Sequence, residues 1–153
     1  MSALPPPPAD RQWISFADGP VAFLAPADFA THREDDDTVA VYPPGESGIT
    51  LRFSLHTRPL QPEMPADVAE QFVSEHAASH GLQLTRLPDR VYLTESRETD
   101  WPDRRVLVHH WQIGCGRILV VGSATIWGTE RESQTVRQTL RSVPEIIESL
   151  RYT

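Results

Sequence analysis

His76, His80, His109, His110 and Cys115 are the residues whose types and spacing come nearest to a reactive site in this 153-residue chain. His76 and His80 stand i, i+4, which on a helix brings two imidazoles within reach of one metal ion. A zinc protease would place Glu directly after the first histidine, and Ala77 stands there instead. His76 continues an apolar stripe, and His80 directly precedes Gly81, at a helix end where the macrodipole favours a cation. The pair therefore reads as a core-edge histidine and a helix-end histidine.

His109 and His110 are neighbours in an extended segment, so they leave it on opposite faces and cannot share a metal. One of the two is expected under a helix layer, near His76, with its ring nitrogens hydrogen-bonded. Cys115 lies between Gly114 and Gly116 with Arg117 close by. That context predicts an exposed turn thiol whose pKa a cation lowers, the one candidate reactive thiol. A nucleophilic pair with His109 or His110 would require the strand to double back, so an incidental surface thiol is the expectation. Glu34-Asp35-Asp36-Asp37 lacks the alternating ligands and glycine of a calcium loop and reads as a solvated hairpin loop. Glu98, Asp100 and Asp103 surround Trp101, with nothing in the pattern to place them in a cleft. No catalytic residue, cofactor or metal site is assigned, and His76, His80, His109 and His110 remain the metal candidates.

Charge and composition narrow the partners. A net charge of −7 and a pI near 5.3 argue against nucleic acid and anionic membranes. All 14 basic residues are Arg, which suggests a high-GC bacterial genome and removes Schiff-base and P-loop chemistry, both of which need Lys. A single cysteine makes no intrachain disulfide. The opening residues lack a signal-peptide apolar core, and no run reaches the roughly 20 apolar residues of a membrane span. The expected location is the cytoplasm.

The elements that would position these residues follow from periodicity. Residues 1–11 form a flexible proline-rich arm containing Pro5 to Pro8, and residues 12–153 form one domain. Short strands flank Asp18-Gly19, a hairpin turn signal. A strand through Val39 to Tyr42 precedes one in which Ile49, Leu51, Phe53 and Leu55 alternate with polar residues, a pattern predicting a position nearer a sheet edge. Pro59, Pro62 and Pro65 make a linker into a helix from about Ala66 to His80, with Val68, Ala69, Phe72, Val73, His76 and Ala77 as its apolar stripe. A strand from Arg90 to about Trp101 turns at Pro102-Asp103 into a long hairpin from Arg104 to Trp127, folded at Gly114-Cys115-Gly116. Its second arm is apolar or small on both faces, as in a strand covered on both sides. Thr129 and Ser142 each open a capping box, so a C-terminal helix with a break or kink at Pro144 is predicted. The order β-β-β-β-α-β-β-β-α gives an α+β fold, an antiparallel sheet of about six to seven strands with helices packed on it.

Val21-Ala22-Phe23-Leu24-Ala25-Pro26 followed by Phe29, the late pair of long strands, and the closing Ile146-Ile147-Glu148-Ser149-Leu150-Arg151 together resemble the PsbP-like α/β/α sandwich. That fold includes the bacterial DcrB-type proteins and the Eag-type chaperones of type VI secretion. The resemblance covers about residues 12 to 151 and implies no catalytic residue. It implies a non-enzymatic protein- or peptide-binding domain of a bacterial cytoplasm, adaptor- or chaperone-like. A small metal-dependent hydrolase using clustered histidines and a homodimer joined through an edge strand are the alternatives.

Overall fold

The computed structural model describes residues 4–16, 21–45, 48–56 and 65–152. Five strands come first: β1 (Arg11–Ser15), β2 (Val21–Pro26), β3 (Ala30–Asp35), β4 (Thr38–Tyr42) and β5 (Ile49–Leu55). Helix α1 (Val68–His80) leads into β6 (Leu84–Leu87), β7 (Arg90–Trp101), β8 (Arg104–Cys115) and β9 (Ile118–Trp127). A 3₁₀ turn at Gly128–Glu130, α2 (Gln134–Ser149) and β10 (Arg151–Tyr152) close the chain. The strands form a seven-stranded antiparallel sheet, β3-β4-β5-β9-β8-β7-β6, and a three-stranded sheet, β1-β2-β10. The fold is α+β, as the element pattern predicts. The proposed turn at Asp18-Gly19 and most of the proline linker lie outside the described residues.

β9 occupies the centre of the large sheet, and its two faces meet different environments. Ile118, Val120, Gly122, Ala124 and Ile126 are buried, whereas Leu119, Val121, Ser123, Thr125 and Trp127 are only half-buried. On the buried side, α2 and the small sheet close over the large sheet. Val136, Val143, Ile146 and Ile147 of α2 join Phe23, Leu51, Phe53, Trp111 and Ile113 in one core, and Phe23 meets Phe53 with ring centroids 5.0 Å apart. The two segments quoted for the family resemblance touch there: the Leu24 amide donates to Ser149 Oγ at 2.8 Å, and Arg151 pairs with Ala22.

Among the described residues, the other side carries α1 alone. Its 13 residues span about 20 Å, and a helix is about 10 Å wide, roughly two strand spacings. The expectation that β9 is covered on both sides holds at Leu119, which packs under α1, and is narrowed elsewhere: among the described residues no second helix covers Val121 to Thr125 on this side.

Further local corrections have physical reasons. The acidic segment Glu34–Asp37 is half strand and half turn: Glu34 and Asp35 end strand β3, exposed along its whole length with a bulge between Arg33 and Asp35, and Asp36-Asp37 is the solvated hairpin turn expected. An edge strand solvated on both faces shows no apolar alternation, and its charges protect an otherwise open edge. β5 is internal, between β4 and β9, because the polar face that suggested an edge is the face that α1 leaves open. β6 and β10 escaped a periodicity argument because they are four and two residues long. The β8–β9 turn is at Gly116-Arg117, with Gly116 at φ +60°, while Gly114 lies within the strand. α2 starts from Ser133, whose side chain accepts from the Val136 amide at 3.2 Å, and runs unbroken through Pro144. Docking of its apolar face outweighs the lost hydrogen bond that a mid-helix proline entails.

Candidate functional site

The site most open to a partner is the part of the large sheet that α1 leaves bare. α1 is fastened at one end of that face. Its Ala69 amide donates to the Gly116 carbonyl at 3.0 Å, and Glu70 Oε2 accepts from the Gly116 amide at 3.1 Å. A Cβ on Gly114 would fall 2.5 Å from the Ala69 carbonyl oxygen, so glycine is what lets the helix backbone cross the strand this closely. Ala69, Val73 and Ala77 point inward, and Val73 and Ala77 pack against Val91 and Leu93 with Leu82, Leu84 and Leu119. The predicted stripe is thereby narrowed: Phe72 is 51 % exposed.

Beyond α1, cross-strand register sets out the uncovered surface in rows. Ser54, Val121 and Gln112 stand side by side, then Arg52, Ser123 and His110, then Thr50, Thr125 and Val108. All nine side chains are half-buried. Arg52 is held by Glu34 at 2.7 Å and Arg97 by Glu95 at 3.5 Å, so the flanks carry paired charges. Gln112 Oε1 is buried without a hydrogen-bond partner. At the end away from α1, Trp101 meets Trp127 edge-on with centroids 5.6 Å apart, and the Arg104 guanidinium, paired with Asp103, lies 4.1 Å over the Trp127 ring. Trp101 is 43 % exposed. A cleft of about 900 Å³ opens here, lined by Tyr42, Thr50, Arg104, Trp127 and Arg131 among others. The face thus carries hydroxyls, two separated valines, Val121 and Val108, and an aromatic pair at one end.

The sequence candidates are scattered around this face. His76 and His80 stack with ring centroids 4.2 Å apart, and His80 Nδ1 lies 3.1 Å from the His76 carbonyl oxygen and 3.0 Å from Ser79 Oγ. His110 is on the α1 side of the sheet, in the row of Ser123 and Glu95. His109 is on the opposite side, stacked on Trp111 at 6.0 Å in a cleft of about 420 Å³ with Ser96, Leu107, Ile126 and Leu140. Burial, followed by the charge of His110, pushes the His109 pKa down. Among the described residues, no three His, Cys, Asp or Glu side chains gather closely enough to hold a metal.

Cys115 needs correction. It is half-buried against the closed-face core, and burial pushes its thiol pKa up. Arg90 opposes that shift, and Asp89 and Glu70 reinforce it. The expected exposed thiol assumed a turn position, but Cys115 is the last residue of β8. His109 shares its face from six residues away, about 20 Å along an extended strand, with Trp111 and Ile113 between.

One residue the sequence reading missed is Arg90, which is 6 % exposed. Its guanidinium donates to the Ile147 and Leu150 carbonyls, both at 2.8 Å, and to both carboxylate oxygens of Asp89 at 2.9 Å. It caps the C-terminus of α2, where a cation is favoured. No local pattern announces this role, since the acceptors are 57 and 60 residues away.

Neither a protein-family model nor a curated protein matches the chain. Among solved structures, it is similar to a protein from Bacteroides thetaiotaomicron, with a TM-score of 0.62 and 14% identity over 88% of this chain. The chain spans 45% of that protein's length. It is also similar to cyanobacterial PsbP (CyanoP) from Synechocystis, at 14% identity over 100% of this chain and 98% of that one. The TM-score there is 0.38, and nothing further is drawn from it. These likenesses concern the fold alone, an antiparallel α+β architecture of the kind the PsbP-like resemblance implies.

Proposed function

We propose that this chain is a non-enzymatic protein- or peptide-binding domain, adaptor- or chaperone-like, which receives its partner on the half-covered face of the large sheet. The observation that carries the reading is that, among the described residues, no second helix lies beside α1 on this face. Three strands over three rows make a patch of roughly 300 Å². Its residues lie on paired strands and are already ordered, so little ordering opposes binding. A bacterial cytoplasm is the compartment proposed, on the all-Arg composition and the lone cysteine. No helix among the described residues is long and apolar enough to cross a membrane.

The test uses paired variants of the full chain. A partner recovered with the wild-type protein should be lost with Val121→Arg and Thr125→Arg, while circular dichroism stays unchanged. It should be retained with Glu145→Arg, on the far side of the molecule. Retention by both open-face variants would overturn the reading.

A further inference from the structure

The proline arm is seated. Four consecutive prolines, Pro5 to Pro8, precede β1, and the chain folds back at Pro8–Arg11, where the Arg11 amide donates to the Pro8 carbonyl at 3.0 Å. This brings the Pro5 carbonyl to 2.7 Å from Nε1 of Trp13 on β1. Arg151 of β10 lies on the same small sheet, with its guanidinium 5.9 Å from the Trp13 ring centroid.

The chemistry of the contact is specific. Proline has no N–H, and a polyproline II segment makes no internal hydrogen bonds, so its carbonyls stand free as acceptors. Proline-rich ligands are recognised by aromatic surfaces, and the stiff helix loses little entropy on docking. An indole supplies both halves at once: a flat apolar ring for the pyrrolidines and one N–H for a carbonyl. Pro5 to Pro8 remain exposed, so the arm is held mainly at that one hydrogen bond and can be displaced.

We infer that Trp13, with Arg151 beside it, is a proline-reading site occupied in cis by Pro5–Pro8, and that the partner it fits is a polyproline II segment presented by another protein. The arm acts as a tethered competitor. Its effective concentration, in the millimolar range for a short tether, masks the site from weak ligands. This site is on the small sheet and does not depend on the reading of the open face.

The experiment compares three full-length proteins titrated with a synthetic decaproline peptide by calorimetry. They are the wild type, a variant with Pro5, Pro6, Pro7 and Pro8 each changed to Ser, and that variant carrying Trp13→Phe. The serine variant should bind decaproline about twofold to tenfold tighter than the wild type, because the tethered competitor, at millimolar effective concentration, is gone. Trp13→Phe keeps a ring but removes the donor, and should abolish the gain. In parallel, the Trp13 indole proton should exchange slowly with solvent in the wild type and fast in the serine variant. Equal affinity of the first two proteins, no binding to the serine variant at millimolar peptide, or binding that survives Trp13→Phe would each overturn the inference.

Discussion

The two faces of the seven-stranded sheet are made by the same strands and differ in what was built over them. On one face α2 and the small sheet meet large residues, Phe23, Leu51, Phe53, Trp111 and Ile113, each at most 6 % exposed. On the other, α1 binds one end through alanines and a valine over a glycine, and the remainder is left to Thr50, Ser123, Thr125, Val108 and Val121. The difference separates two tasks. The closed face carries most of the burial that holds the fold, and the residues of the open face are less constrained by packing.

Mutations on the two sides should sort by size. Phe53→Ala removes a ring that is 1 % exposed and packed on Phe23. Chemical denaturation should show a loss of about 3–5 kcal/mol. Arg90→Met strips the donors from the Ile147 and Leu150 carbonyls. The Ile147 carbonyl keeps the Leu150 amide at 3.3 Å, so the main loss is at the Leu150 carbonyl, and about 1–3 kcal/mol is expected in the same assay. Gly114→Ala places a methyl against the α1 backbone. About 1–3 kcal/mol is expected, with faster hydrogen exchange in α1 than in α2. Val121→Ser on the open face should change stability by less than about 1 kcal/mol. A loss there comparable to that of Phe53→Ala would erase the distinction between the faces.

The smallest effect is a pH dependence. The folded-state pKa of His109 is lowered, so the native state favours the neutral ring. Its contribution is fully present above the ordinary value near 6.5 and is lost as pH falls through the lower folded value. His109→Phe should flatten the decline in melting temperature on acidification below about pH 6.5.

Much of this architecture can be read from the sequence because it rests on local rules. The boundaries of β7, the Trp101–Arg104 turn and the Gly81 stop of α1 follow from turn residues and alternation. Gly81 sits at φ +65°, with the Leu82 amide bonded to the Ala77 carbonyl at 2.9 Å. The site was less legible. Adjacent histidines in a strand predict opposite faces, and His109 and His110 obey. Which of them faces the α1 side and which the α2 side depends on where the two helices settle, and no spacing encodes that. The reading of Cys115 failed because Gly114 and Gly116 look alike in sequence. One is a close-packing glycine under α1 and the other a turn glycine at positive φ.

By itself, then, the sequence determined the α+β class, the long central hairpin, the amphipathic helices and the opposed histidines, because each follows from interactions within a few residues or from a period of two or about 3.6. Tertiary structure alone decided that Arg90 caps α2, that Trp13 holds the Pro5 carbonyl, and that one sheet face stays open. These depend on distant segments meeting and on how far one helix of limited width can reach across seven strands.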